Sequence, residues 1–188
     1  MCASERISFS DKKAFRCPDC GLVYYHNTAA ATGCVISVPD AGEKTGGGER
    51  LLLLVRGKEP GKGKLSLPGG FVDPGEGALE GLYREIQEEL GWSPPVSGAP
   101  LTQVFTLIAS FSNVYLYKNI PYNTCDLYFS LSAPGLRVEN LRPRQGEIAA
   151  IRLLKPEEID FDEFAFDSTR RAVQAYLNRA LDFDDPIA

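Results

Sequence analysis

Residues 70–92 read GFVDPGEGALEGLYREIQEELGW, and the rest of the chain is arranged around this segment. Leu79, Leu82, Ile86 and Leu90 stand at i, i+3, i+7 and i+11. That apolar stripe predicts a helix over 78–90 docked on a sheet. Glu85, Glu88 and Glu89 stand at i, i+3 and i+4 and so share one helix face. At about 100° per residue, their face lies roughly a quarter to a third of a turn from the stripe. Three carboxylates within one turn repel one another and weaken the helix unless a cation sits among them. An all-oxygen donor set of this kind suits a hard divalent ion such as Mg²⁺ or Mn²⁺. Taken alone, the same residues also fit an ordinary solvated acidic face.

The wider pattern separates the two readings. Gly70, Glu76, Arg84, Glu85, Ile86, Glu88, Glu89, Gly91 and Trp92 match every constrained position of G-x5-E-x7-R-E-U-x-E-E-x-G-U, with U aliphatic or aromatic. The segment therefore resembles the Nudix box, and the chain resembles the Nudix hydrolase superfamily over about residues 29–180. Each position has a physical reason. Gly70 and Gly75 permit backbone conformations that a Cβ would forbid, and they bring carbonyl oxygens close to a metal. Asp73 or Gly75 is expected to begin the helix, with Glu76 favouring its dipole. Arg84 can reach back about two turns to Glu76 and hold the loop to the helix. Gly91 is the expected residue just past the helix end, and Trp92 the first packed residue beyond it.

Bulk properties narrow the function classes. A chain of 188 residues fits one domain with a small appendage. With 44% apolar and 24% charged residues it has the composition of a soluble globular protein. The net charge of −5 and the lack of a basic run argue against a nucleic-acid partner. A phosphate-bearing substrate must then be met by metal ions and a few local bases. Leu51–Val55 is far short of a membrane span, so no membrane partner is expected. The N-terminal MCASERISFSDKK has no apolar segment, so no signal peptide is expected. Five cysteines with one CxxC pair read as reduced thiols of a cytoplasmic protein.

Residues 1–28 form an expected N-terminal extension and 29–188 the main domain. Within the extension, Cys17-Pro-Asp-Cys20-Gly resembles one knuckle of a zinc ribbon, as in the segment attached to NADH pyrophosphatase-like members of the superfamily. A closed structural zinc site takes four ligands, and the second CxxC is missing. Cys2, His26 and Cys34 have no ribbon-like spacing. The expectation is a degenerate ribbon packed through Phe15, Tyr24 and Tyr25, with Zn²⁺ at Cys17 and Cys20 as the alternative.

Further along, Ala29–Val38 and Arg50–Arg56 read as strands separated by a glycine-rich loop, DAGEKTGGGE. Those glycines precede a strand and do not open a helix, which weakens a phosphate-cradling reading. Arg56, Lys58, Lys62 and Lys64 make the next connection basic and lead into LSLPGG. Leu101–Ser112, Asn113–Tyr117, Cys125–Ser132 and Glu147–Leu154 read as strands, with a bend near Ser110–Asn113. Asp167-Ser168 is expected to cap a final helix with Ala172, Val173, Tyr176, Leu177 and Ala180 facing inward. Two helices among these strands predict an α/β fold. The resemblance implies the same: an α/β/α sandwich with a mixed sheet and the two helices on opposite faces.

The resemblance also implies an enzyme, a metal-dependent pyrophosphohydrolase acting on a nucleoside diphosphate linked to another moiety. Its implied metal ligands are Glu85, Glu88 and Glu89 with the Gly70 carbonyl. Arg84 completes the catalytic set, and the general base is either one of these glutamates or Glu147, on a late loop. Arg56, Tyr115, Tyr117 and Phe129 are the candidate substrate contacts, the aromatic rings being suited to stack a base and equally to pack on a sheet face. The SQPWPFPxS segment of NADH pyrophosphatases is barely preserved in Ser110–Tyr117, and Leu107-Ile108 replaces the proline of the ADP-ribose subgroup. ADP-ribose, NADH or a nucleotide sugar is favoured. A nucleoside triphosphate pyrophosphohydrolase and a non-catalytic nucleotide sensor stay open, while RNA decapping fits the acidic balance poorly. A homodimer is in keeping with relatives of this type.

Overall fold

The computed structural model describes residues 2, 4–6, 8–9, 13–40, 48–96, 98–118 and 120–182. A three-stranded antiparallel sheet comes first, with β1 (Ser8–Phe9), β2 (Ala14–Arg16) and β3 (Val23–Tyr25) in that order. The main sheet holds β4 (Ala29–Pro39), β5 (Glu49–Arg56), β6 (Leu65–Ser66), β7 (Thr106–Tyr117), β8 (Ile120–Ser132) and β9 (Ile148–Leu154). It is mixed: β4 and β8 run parallel, and the other pairs are antiparallel. The helices are α1 (Ala78–Leu90), the single turn α2 (Leu101–Val104) and α3 (Asp167–Asp182).

Strand alternation puts one helix on each face. Cys34, Ile36, Leu52 and Leu54 pack with Leu82, Ile86 and Leu90 of α1. Val35, Leu51, Leu53 and Val55 face the other way, against Ala172, Val173, Tyr176 and Leu177 of α3. The unbroken leucine run of β5 thus serves two cores at once, as expected of a strand buried on both faces. The predicted α/β/α sandwich is the observed architecture.

A split in the sheet positions the site. β9 pairs with β5 from Leu51 to Arg56 along one edge. On the other edge β4 pairs only with Glu49–Leu52, and β6 takes over at Leu54 and Val55. The segment that opens the acidic helix runs alongside β4 beyond this parting. Cys34 donates its N–H to the Pro68 carbonyl at 2.9 Å, Thr32 to Gly70 at 2.8 Å, and Val72 to Ala30 at 3.0 Å. The close approach demands glycine at 69, where φ is +140° and a Cβ would lie 2.1 Å from the Thr32 carbonyl oxygen.

Several local expectations shift. The helix start expected at Asp73 or Gly75 falls later, with Gly77 as N-cap and Glu80 bonding back to its N–H at 2.7 Å. Leu101–Val104 forms a helical turn and not the start of a strand. Its apolar pair at i, i+3 packs on the core, and Phe105 N–H closes the turn on the Leu101 carbonyl at 2.9 Å. β7 then runs unbroken through Ser110–Asn113, with its irregularity earlier, between Leu107 and Ala109. α3 already includes Asp167 and Ser168, so neither caps it; Ser168 is buried and bonds into the sheet. Most of the glycine-rich loop, residues 41–47, lies outside the described residues, as does the Ala180 side chain. Among the described residues no helix is long and apolar enough to cross a membrane.

Candidate active site

A cleft of about 330 Å³ opens where β4 and β5 part. One wall is the acidic face of α1 with the Gly69–Phe71 backbone; Arg56, Lys58, Arg144 and Glu147 also line the cleft. A second wall carries Tyr115, Phe166, Asn113, Asp126 and Thr169.

Arg84 organises the acidic side. Its Nη2 and Nε reach the two oxygens of Glu76 at 2.7 and 3.1 Å, the expected two-turn clasp, in the fork geometry that suits a carboxylate. Nη2 also donates to the Phe71 carbonyl at 3.1 Å, and Nη1 to Glu85 at 2.9 Å and Glu88 at 3.5 Å. Glu89 accepts the Gly69 N–H at 2.9 Å. Glu88 reaches Arg144 at 3.1 Å, and Glu147 reaches Lys58 at 2.6 Å. Glu147 thus joins the cleft from a chain segment far from the helix, as expected. The bond to Lys58 holds its carboxyl below the usual carboxylate range.

Charge is poorly compensated around two of these groups. Burial raises the pKa of Glu89 to about 8, with Glu85 and Glu147 adding like-charge repulsion against the Gly69 N–H. Burial also raises Glu85, despite its bonds to Arg84. A divalent cation would relieve both penalties, and the donors, all carboxylates, have the chemistry for a hard ion. The side chains have not closed on one point. Among the described residues no three carboxylates bring an oxygen each within 4.8 Å of one another, because Arg84 holds Glu85 and Glu88 while Gly69 holds Glu89.

Gly70 lies against Glu85; a Cβ there would come 2.6 Å from the Glu85 carboxyl carbon. Its carbonyl accepts the Thr32 N–H at 2.8 Å and, at a long 3.5 Å, the Thr32 hydroxyl, a weak contact that a closer partner could displace. Arg56 lines the cleft, donating to the Pro60 carbonyl at 2.7 Å with its guanidinium 5.0 Å over the Phe166 ring. Tyr115 lines it too, edge-on to Phe71 at 5.5 Å and tilted against Phe166 at 5.9 Å. Phe129 does not. It is 7% exposed within the α1-side core, because residue 129 of β8 faces the opposite side of the sheet from Tyr128. The Tyr117 side chain lies outside the described residues, its backbone pairing with Ile120 at the hairpin end.

Sequence reasoning missed the polar part of the second wall. Buried Asp126 accepts from Thr124 at 2.6 Å and Ser168 at 2.7 Å. Tyr128 hydroxyl lies 3.0 Å from both Ser168 and Thr169. The signal was faint: a charged residue inside the alternating strand CDLYFSLS, on the same face as Tyr128.

The family model described as NUDIX domain matches residues 29–176. An ADP-ribose pyrophosphatase of Methanocaldococcus jannaschii is 39% identical over 74 residues, 39% of this chain and 38% of that protein. A protein named NAD-capped RNA hydrolase NudC, from Chromobacterium violaceum, is 34% identical over 90 residues, 48% of this chain and 30% of that protein. The matched stretch thus spans less than two-fifths of the length of either relative. Among solved structures, a MutT/nudix family protein from Enterococcus faecalis superposes with a TM-score of 0.66 at 17% identity, over 86% of this chain and 65% of that one. The NUDIX domain of Shewanella oneidensis NrtR, solved with ADP ribose, gives 0.61 at 14% identity, over 82% and 90%. These two likenesses establish a shared fold.

Proposed function

The chain belongs to the NUDIX domain family, and on that premise we propose that it is a divalent-metal-dependent hydrolase of the pyrophosphate bond in a nucleoside diphosphate linked to a second moiety. ADP-ribose, NADH and nucleotide sugars are the substrate class. The observation that carries the reading is one cleft uniting a carboxylate wall short of positive charge, an aromatic and hydroxyl-rich wall, and the cations Arg56, Lys58 and Arg144. A diphosphate needs metal-binding carboxylates and phosphate-facing bases, and a nucleoside needs a ring platform and hydrogen-bonding groups.

Glu85, Glu88 and Glu89 are the groups that would hold Mg²⁺ or Mn²⁺, with the Gly70 carbonyl as a further donor. When bound, the ion neutralises phosphate charge and lowers the pKa of coordinated water. Arg84 orients Glu85 and Glu88 while tying the helix to the loop through Glu76. Lys58 keeps Glu147 ionised, as a general base must be to accept a proton. Arg144 and Arg56 face the phosphates, and Tyr115 with Phe166 offers the base a stacking surface.

The test is a panel of ADP-ribose, NADH, nucleotide sugars, dinucleoside polyphosphates and nucleoside triphosphates, assayed with Mg²⁺ or Mn²⁺ and with chelator, products identified by mass. Metal-dependent release of AMP from ADP-ribose or NADH, or of a nucleoside monophosphate from a nucleotide sugar, supports the proposal. Pyrophosphate release from a nucleoside triphosphate replaces it with a triphosphate pyrophosphohydrolase. Silence across the panel with metal bound replaces it with a nucleotide sensor.

A further inference from the structure

The N-terminal sheet carries side chains that hydrolysis leaves unused. β2 and β3 are joined by residues 17–22, where Cys17 N–H donates to the Leu22 carbonyl and Gly21 N–H to the Cys17 carbonyl, both at 2.9 Å. Gly21 holds φ at +73°, which suits a residue without a Cβ at this tight reversal. Cys17 and Cys20 are both in or beside this turn. Cys2 comes from a separate run of chain, yet its sulfur lies 3.5 Å from that of Cys17. All three sulfurs lie within 4.8 Å of one another.

The Cys2 segment is tied to the same turn. The Ser4 hydroxyl donates to Asp19, and Arg6 Nε reaches that carboxylate at 3.0 Å. Asp19 stands between the two turn cysteines, so these contacts bring Cys2 to Cys17 and Cys20. A separation of 3.5 Å is far too long for a disulfide, whose sulfurs sit about 2.05 Å apart. It is close to the roughly 3.8 Å between thiolates that share a tetrahedral ion with bonds of about 2.3 Å. The sheet has a small core. Among its described residues only Ala14 and Cys17 are buried, while Leu22, Tyr24 and Tyr25 are exposed. Strands this short with so small a core gain stability from a cross-link or a bound ion.

We propose that Cys2, Cys17 and Cys20 form a three-thiolate site for a soft divalent cation of the zinc class, with its fourth position open to solvent. Thiolates select such ions over Mg²⁺, so the site is chemically separate from the glutamate cleft. Among the described residues, neither Cys34 nor His26 supplies a fourth ligand. Cys34 is fully buried in the α1-side core, and the His26 ring packs beside Phe15 and Tyr24. The site is independent of the reaction proposed above.

The experiment is zinc analysis of the full chain after exhaustive dialysis, for wild type and for Cys2→Ser, Cys17→Ser, Cys20→Ser and Cys125→Ser. The expected result is one zinc per chain in wild type and Cys125→Ser, and loss of at least nine-tenths of it in each of the other three. Replacing zinc by Co²⁺ in wild type gives a second readout that does not depend on a variant folding. Three thiolates produce sulfur-to-cobalt charge-transfer bands in the near ultraviolet, and carboxylates produce none. Wild type without zinc, zinc retained in full by Cys2→Ser, or Co²⁺ bound without those bands would each overturn the proposal.

Discussion

Glu88 is the residue at which fold and chemistry separate most cleanly. It is exposed, and its bonds to Arg84 and Arg144 are surface pairs worth under about 1 kcal/mol each. Glu88→Gln is therefore expected to leave the thermal midpoint unchanged while lowering kcat by about 100-fold or more, as loss of a charge-stabilising group does. Unchanged turnover would remove Glu88 from the site. Two adjacent glycines make a sharper contrast. At Gly69 an added Cβ meets backbone, the Thr32 carbonyl oxygen, at a φ of +140°. Gly69→Ala should cost about 3 kcal/mol or more in urea denaturation. At Gly70 the three atoms nearest an added Cβ all belong to the Glu85 carboxyl group, the far end of a side chain that can swing aside. Gly70→Ala should keep most of the stability and lose metal-dependent turnover; the reverse order of stabilities would contradict this account of the two positions.

At the scale of the element, α1 is fastened at both ends and along one face. Leu82, Ile86 and Leu90 are fully buried, and Leu82→Ala should cost about 2–5 kcal/mol by leaving a cavity between helix and sheet. The helix ends on Gly91 at φ 58°, where a Cβ would sit 2.8 Å from the Arg142 Cβ. Gly91→Ala adds left-handed backbone strain of about 1–2 kcal/mol to that contact. It should also loosen the 142–144 segment, because the Arg142 and Arg144 N–H groups bond the Leu90 and Glu89 carbonyls. Since Arg144 faces the cleft, the substitution should raise KM as well as lower the thermal midpoint. A fall in stability with KM unchanged would show that the helix end and the Arg144 segment are uncoupled.

Across the whole molecule, Asp126 joins the main sheet to α3 and borders the cleft. Asp126→Ala strips Thr124 and Ser168 of a buried partner, a cost of about 1–3 kcal/mol for the orphaned groups. Both the denaturation midpoint and KM should move; a change in neither would make the network incidental. The sandwich and the body of α1, though not its cap at Gly77, were legible in the chain because they rest on local periodicity, apolar stripes at helical spacing and a leucine run able to face two cores. The glutamate face was legible for the same reason, since residues within a turn of one helix have their separation set by its pitch, and the Arg84–Glu76 clasp because only eight residues separate its helix end from its loop end. Arg56 and Tyr115 were named from their chemistry and Glu147 from the family resemblance, and all three line the cleft; Phe129 was named for its ring and sits in the core. Strand alternation makes that difference, and it depends on which face of β8 meets which helix. The Asp126–Ser168 bond, the Lys58–Glu147 pair and the meeting of Cys2 with Cys17 all join segments whose sequence separation carries no distance. Local spacing in the sequence determined the two long helices, the family pattern and the carboxylate face. Only the tertiary structure decided what lies opposite that face, because contacts between distant segments follow from how the layers pack and not from the spacing of residues along the chain.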